Sequence, residues 1–218
     1  MYKTILRIFS TYMHHIDQHE KLIRALSRLP SIGRRSAERI ALAIAHEKTL
    51  LLEPLLKALQ GVKESITTCE CCGVITTFDA NPCTICSSST RDKSVICVVE
   101  NADDILTIEK ADSFNGVYHS LNGRISPMTG IRPEDLRLKE LFDRVEKDGV
   151  KEVILAINTD VEGDATAAYI SEKLSTLGVK TTRIAFGIPA DSGIIYTDPI
   201  TLKRAFNGRM PANKNNLI

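Results

Sequence analysis

Two pairs of cysteines with metal-ligand spacing constrain the fold of this 218-residue chain more than any other feature. Cys69 and Cys72 form one Cys-x-x-Cys knuckle, and Cys83 and Cys86 form a second one after a ten-residue gap. Two such knuckles supply the four thiolates of a tetrahedral zinc site, and four protein ligands leave no position for a catalytic water. The sequence therefore predicts one structural zinc ion per protomer, held by a small ribbon within residues 67–93.

The remaining cysteines, Cys71 and Cys97, are not needed for this site. Cys71 lies inside the first knuckle as a competing ligand, and Cys97 lies in an apolar run that predicts a buried position. The N-terminal segment is too polar for a secretory signal, which needs about 7–15 unbroken apolar residues. We therefore expect a cytoplasmic protein whose cysteines are reduced thiols or metal ligands. No stretch approaches the roughly 20 apolar residues of a membrane helix.

The charge is unevenly divided along the chain, although its net value is only +1. Residues 1–64 hold 11 Lys and Arg against 6 Asp and Glu, whereas residues 94–187 hold 11 against 16. The basic head favours a polyanionic partner, and the acidic body favours a bound metal ion or a basic protein. A random scatter of solvated charges gives the same totals, so charge alone does not decide.

Hydrophobic periodicity predicts a helical N-terminal part followed by an α/β part. Helices are expected over residues 21–29, through Ala37, Ile40, Ala41 and Ile44, and over residues 50–66. Further along, apolar runs predict buried strands at residues 95–99, 153–157 and 181–186, with helices over 136–147 and 165–177. Strands that alternate with helices indicate a mainly parallel sheet. The polar tail from Pro211 to Ile218 is expected to be loose.

The turn between the first two helices carries the first candidate binding site. Gly33 lets backbone N–H groups approach a phosphate at the start of the next helix, whose dipole favours an anion. Arg35 and Arg39 are four residues apart and share one helix face, with Arg28 and Arg34 close by. This pattern predicts sequence-independent, salt-sensitive DNA binding. The alternative is a plain helical hairpin with solvated arginines.

Acidic side chains form the second candidate site, at the ends of two predicted strands. Glu100 ends the first strand, and the acids that follow the two strands are Asp103, Asp104, Asp160, Glu162 and Asp164. Carboxyl ends of parallel strands meet at one edge of a sheet, where such a cluster holds Mg²⁺ or docks a protein. The spacing does not separate these two hypotheses. His119, beside a glycine turn, is interpreted as a packed residue rather than a catalyst.

Taken in order, these stretches resemble one family, the bacterial recombination protein RecR. The matching segments are LPSIGRRSAERIA, CECC…CTIC, ICVVENADDI, YHSLNGRISPMTGIRPEDLRL, NTDVEGDATAAYI, TRIAFGIP and TDPITLKRAFNGR. The resemblance implies a helix-hairpin-helix region at residues 1–66, a four-cysteine zinc finger at 67–93, a Toprim domain at 94–187 and a C-terminal oligomer contact and tail at 188–218.

The resemblance also implies a function. It implies a non-catalytic, nucleoid-associated DNA clamp in which four protomers form a ring. With RecO, and in many bacteria RecF, such a clamp promotes the loading of RecA onto gapped or single-stranded DNA during recombinational repair.

The family pattern can be carried over residue by residue. The DNA-contacting basic pair falls on Arg35, where Lys is usual, and on Arg39. The zinc ligands fall on the four cysteines of the two knuckles. The acids linked to RecO contact fall on Glu100, Asp104, Glu162 and Asp164. Ser31 stands where the hairpin usually has Gly, and Asp160 stands where a small uncharged residue is usual.

The substitution at Asp160 keeps a second interpretation open, a Mg²⁺-dependent phosphoryl-transfer enzyme. Toprim domains of primases and topoisomerases use a Glu and an Asp-x-Asp pair. Here Asn158 replaces the first Asp and Asp160 keeps the second. An amide does not supply the negative charge that holds Mg²⁺, so the sequence favours a protein that is not an enzyme.

Overall fold

The structure is a computed structural model, and it describes residues 17–185, 187, 188 and 193–209. The chain divides into two compact units, Met1–Ile66 and Thr67–Ile218. The predicted loose tail, 211–218, and Phe186 lie outside the described residues. The last strand, predicted over residues 181–186, ends earlier, at Arg183.

The first unit is helical. Its elements are α1 (17–26), α2 (Arg34–His46), a π-helical turn (Lys48–Leu52) and α3 (Glu53–Ser65). Ile23 of α1 packs against Ala37 and Ala41 of α2, and the two small side chains let the helices approach closely. The predicted C-terminal end of the first helix, at residue 29, was wrong. Helix α1 ends at residue 26, and Leu29 is half exposed in the turn that follows.

The turn between α1 and α2 contains a residue with left-handed backbone geometry. Ser31 has φ of 63°, and the Ile32 N–H donates to the Leu29 carbonyl at 3.2 Å to close the turn. A residue with a Cβ atom pays about 1–2 kcal/mol to adopt this conformation, whereas Gly adopts it freely.

Replacement of Ser31 with Gly is therefore expected to raise the free energy of unfolding. The gain is about 0.5–1 kcal/mol, because relief of the backbone strain exceeds the extra entropy that Gly has in the unfolded chain. Urea unfolding of the full chain measures it. Ser36→Gly, inside α2, is the matched control and is expected to lower stability by a similar amount. Equal effects of the two substitutions would contradict the role of the backbone at Ser31.

The predicted third helix is divided, and its apolar face is not covered. The π-helical turn precedes α3, and Ile66 already belongs to a strand. Among the described residues, nothing buries the apolar side chains along this stretch, which are 40–74% exposed. They are Leu50, Leu51, Leu55, Leu56, Leu59 and Val62. Apolar side chains left exposed along one helix are typical of a surface that contacts another protein.

The second unit begins with the cysteine ribbon and continues as an α/β sheet. The ribbon consists of β1 (Ile66–Thr68), β2 (Ile75–Thr77) and α4 (Thr84–Ser87). The sheet strands are β3 (Asp92–Val99), β4 (Gly116–Ser120), β5 (Glu152–Ala156) and β6 (Lys180–Arg183). The helices are α5 (Ala102–Lys110), α6 (Leu138–Asp148), α7 (Val161–Thr176) and α8 (Pro199–Asn207). The strand order is β4-β3-β5-β6, and all pairs are parallel, as predicted.

The sheet is covered on both faces. On one face, α6 and α7 pack Leu141 and Ile170 against strand residues such as Val98. On the other face, Ile105 of α5 and Tyr118 of β4 pack together with the four knuckle cysteines. The ribbon is therefore part of the core beneath the sheet, which the sequence did not indicate.

Two elements differ from the predictions in ways that affect the candidate sites. The strand β4 was not predicted, because polar His119 and Ser120 interrupt its apolar pattern, although every residue of β4 is buried. Helix α7 begins at Val161 rather than at 165, with Asp160 as its N-cap accepting from the Gly163 N–H. The acids Glu162 and Asp164 consequently lie in the first turn of a helix.

Candidate functional site

The four knuckle cysteines converge on one point. All four are buried, and their sulfur atoms lie within 4.8 Å of one another. The Cys72 and Cys83 sulfurs are 3.6 Å apart, close to the edge of about 3.8 Å in a tetrahedron with metal–sulfur distances of about 2.3 Å. The Cys83 N–H donates to the Cys69 sulfur at 3.3 Å. The donor set and its geometry fit one tetrahedral metal ion.

Thiol acidity is uneven within the four-cysteine cluster, because burial raises the pKa of Cys83 to about 11 and the hydrogen bond with Cys72 raises that of Cys86. A hydrogen bond from Cys86 and one from the backbone of Val74 lower the pKa of Cys72 to about 5, so this sulfur is a thiolate at neutral pH. Burial instead raises the pKa of Cys97, in β3, to about 12. Burial likewise raises the pKa of the Cys71 thiol. The interpretation of Cys97 as a buried apolar side chain is confirmed.

The N-terminus of α2 presents free donors to solvent. Gly33 is the N-cap, no side chain caps the helix, and its first turn contains no acidic residue. A Cβ atom at Gly33 would meet nothing within 4 Å, so the approach to the backbone is open. Arg35 and Arg39 are exposed on α2, and Arg28 is exposed in the preceding turn. Among the described residues, none of these three guanidinium groups is paired with a carboxylate.

Arg34 differs from its neighbours because it holds the hairpin together. Its Nε donates to Glu38 at 3.0 Å, and its two terminal nitrogens donate to the Glu20 carboxylate at 3.2 and 3.3 Å. These bonds raise the pKa of Arg34 and lower that of Glu20. Glu20 lies on α1, so the pairs join α1 to α2. The sequence did not indicate this structural role.

The predicted acids lie at the carboxyl edge of the sheet, where Glu100 follows β3. Glu100 is buried, and its two carboxylate oxygens accept from Asn158, one from the backbone N–H at 2.8 Å and one from the side-chain amide at 3.0 Å. Asp104 instead accepts from the Asn101 N–H at 2.9 Å as part of the α5 capping box. Glu100 thus ties β3 to β5, and Asp104 stabilises the start of a helix.

Three arginines that were not predicted pair with the other acids. Arg124, in the loop after β4, pairs with Asp160 and with Glu162. Arg183 of β6 donates to Asp164 at 2.6 Å, and Arg204 of α8 lies 3.6 Å from the same carboxylate. A local motif does not reveal pairs 19–40 residues apart. Val and Tyr favour a strand, and a prediction of β4 from these two residues would have placed Arg124 at this edge of the sheet.

His119 is a packed residue, as interpreted from the sequence. It is fully buried in β4, and its Nε2 lies 2.7 Å from the Arg137 carbonyl oxygen. Burial lowers the pKa of His119 to about 4, so the ring is neutral at physiological pH.

Models of known protein families match both units of the chain. A model of the Toprim domain matches residues 94–185, and a model of the RecR helix-hairpin-helix matches residues 19–63. The recombination protein RecR of Chloroherpeton thalassium is 46% identical over 194 residues, which cover 87% of this chain and 95% of that protein. The chain belongs to the RecR family. The RecR protein of Moorella thermoacetica is also 46% identical, over 90% of this chain and 98% of its own length.

Membership of the RecR family confirms the predicted fold class. The helical first unit contains the helix-hairpin-helix match, the four cysteines form a metal-binding cluster, and the parallel sheet lies in the Toprim match. Among the described helices, none combines the length and the apolar character that crossing a membrane requires.

Proposed function

We propose that this chain is a non-catalytic, DNA-binding recombination mediator that acts as a ring-shaped clamp. With RecO, and with RecF where it is present, it promotes RecA loading on gapped or single-stranded DNA. The observation that carries the proposal is the open N-terminus of α2, with Arg35 and Arg39 exposed and unpaired among the described residues.

These groups suit the phosphate backbone of DNA. Unpaired backbone N–H groups and the helix dipole attract an anion, and guanidinium groups bind phosphate oxygens in a bidentate manner. Arg35 and Arg39 lie one helical turn apart, so they reach neighbouring phosphates. Arg28 adds charge from the turn. Arg34 contributes mainly through its ion pairs with Glu20 and Glu38.

The exposed apolar face that begins in the π-helical turn and continues along α3 supports the homotetrameric ring. The side chains of Leu55, Leu56 and Leu59 are 40–56% exposed, and they lie on one side of α3. A second protomer that packs against this face would bury it. We propose that the C-terminal segment, 188–218, supplies a further oligomer contact.

The Toprim edge supports a protein-docking role rather than catalysis. Glu162 and Asp164 keep part of their carboxylates exposed beside the buried Glu100. Asn158 occupies both oxygens of Glu100. We propose that this acidic edge, together with Asp104, contacts a basic surface of RecO. We propose that the four-cysteine site holds a structural Zn²⁺ ion, because four thiolates complete its tetrahedron and leave no open coordination position.

Fluorescence anisotropy with gapped duplex DNA across a salt series tests the proposal. The experiment compares the wild type with Arg35→Ala/Arg39→Ala, with and without RecO. Each phosphate contact contributes about 0.9 to the slope of log K against log salt, so the double variant is expected to lower that slope by about 1.8. At 0.1 M salt, this corresponds to roughly 60-fold weaker binding if the contacts contribute nothing at 1 M.

A control with the same loss of charge separates contact from general attraction. Lys139→Ala/Lys147→Ala removes two exposed positive charges from α6, in the other unit, and is expected to leave the slope nearly unchanged. If both double variants bind alike, the hairpin is not the contact surface. Absence of wild-type binding even with RecO would overturn the clamp.

A further inference from the structure

The acidic edge of the sheet already contains a cation supplied by the chain itself. The guanidinium group of Arg124 lies among three carboxylates, one that directly follows β3 and two at the start of α7. Its Nε is 2.9 Å from Glu162, its Nη1 is paired with Asp160, and the same nitrogen is 4.0 Å from the buried Glu100. Two-thirds of the Arg124 side chain is covered. The group is therefore held in the cluster rather than extended into solvent.

Hydrogen bonds hold the carboxylates in place around this guanidinium. Asp160 accepts from the Gly163 N–H at 2.8 Å as the N-cap of α7, and this bond and Arg124 both lower its pKa. Ser126 donates to Glu162. Glu100 is fixed by Asn158. Each acid around Arg124 thus accepts a hydrogen bond from at least one further residue.

This arrangement does not fit a divalent metal ion. Mg²⁺ brings its oxygen ligands to about 2.1 Å and therefore requires carboxylates that converge on one point. In the part of the chain that the structure describes, the four cysteines are the one group of three or more metal-ligating side chains whose donor atoms all lie within 4.8 Å of one another. The carboxylates around Arg124 do not form such a group. A divalent ion at the acidic edge would also be repelled by the adjacent guanidinium.

We propose that Arg124 is the resident cation of the acidic edge and takes the place that a divalent metal would have in a Toprim site. The edge is consequently built to work without Mg²⁺. Any partner or ion that binds Glu162 and Asp160 competes with Arg124 for them. This inference concerns metal exclusion, so it stands or falls independently of DNA binding at α2.

Binding of Mn²⁺, a paramagnetic probe for Mg²⁺ sites, tests the proposal in the full, zinc-loaded chain. Electron paramagnetic resonance counts the bound Mn²⁺. The wild type is expected to bind none with a Kd below about 1 mM, the range in which weak carboxylate sites for hard cations operate. Arg124→Gln is expected to gain a site at least about tenfold tighter, because the carboxylates then lack their counter-charge. Adding Glu162→Gln to that variant is expected to abolish the gain.

Two controls make the result decisive. Arg132→Gln removes an exposed arginine of the same loop that is in no ion pair of the described residues, and it is expected to behave like the wild type. Arg124→Lys keeps the charge and is expected to continue to exclude Mn²⁺. If the wild type bound one Mn²⁺ ion per chain and Glu162→Gln abolished that binding, the proposal would be wrong. This outcome does not depend on whether any Arg124 variant folds. Equal Mn²⁺ binding by folded Arg124→Gln and Arg132→Gln would also overturn it.

Discussion

Replacement of Cys83 with serine is expected to cause a large loss of stability. Cys83 is 4% exposed, and its sulfur lies 3.6 Å from that of Cys72 in the four-cysteine cluster. A structural zinc ion in a small peptide contributes apparent binding energies of about 10–16 kcal/mol, much of which appears as folding energy. Even a partial loss of about 4 kcal/mol lowers the melting temperature of a chain of this size by roughly 10 °C.

Thermal unfolding together with metal analysis of the purified variant measures this effect. Cys71→Ser is the matched control, since Cys71 lies between Cys69 and Cys72 in the first knuckle but outside the buried four-sulfur cluster. We expect it to retain one zinc ion per chain and to change stability by about 1 kcal/mol or less. If Cys83→Ser retained normal stability and a full complement of zinc, the assignment of the ligands would be wrong.

Replacement of Gly163 with alanine is expected to have the second large effect. A Cβ atom at this position would lie 2.9 Å from the carbonyl carbon of Asn158 and closer still to its oxygen. Both atoms belong to the backbone, so the clash is relieved only if the first turn of α7 moves away from the end of β5. We expect a loss of about 3 kcal/mol or more, because such overpacking forces backbone shifts.

The same displacement disturbs the acidic edge. Gly163 donates to the N-cap Asp160, and Asn158 donates to Glu100. Chemical unfolding is the measurement, and Gly61→Ala is the control. Gly61 lies inside α3, and a Cβ atom there would meet nothing within 4 Å. That substitution is expected to add about 1 kcal/mol of stability. A loss of stability for Gly163→Ala no larger than about 0.5 kcal/mol would contradict the close approach.

How far the sequence predicts this molecule depends on the range of the interactions involved. The four-cysteine cluster follows from local spacing, and β3 and β5 follow from short apolar runs, so both were predictable. The strand β4 was missed because its polar members are buried through partners distant in the chain, such as the Arg137 carbonyl that His119 contacts. Periodicity predicted an apolar face on α3, but it does not tell what covers that face.

The candidate sites show the same difference between local and long-range interactions. Arg35 and Arg39 were located from their four-residue spacing, whereas Arg124 was not, because Asp160 and Glu162 are 36 and 38 residues away. An Asp residue at the N-cap is a local indication of a helix start, and Asp160 has this position in α7. Because other acids surround Asp160 in the sequence, its capping role was hard to recognise.

The packing of the cysteine ribbon against the sheet links metal supply to the whole α/β unit. Cys69 and Cys86 share one apolar cluster with Val99 of β3 and Tyr118 of β4. Loss of a bound metal ion would expose part of the layer that supports the central strand β3 and the edge strand β4. Glu100 directly follows Val99, so the acidic edge is anchored to the strand that loses this support. Metal starvation or thiol oxidation is therefore expected to weaken the proposed docking of RecO at the acidic edge, because ribbon and sheet share one core.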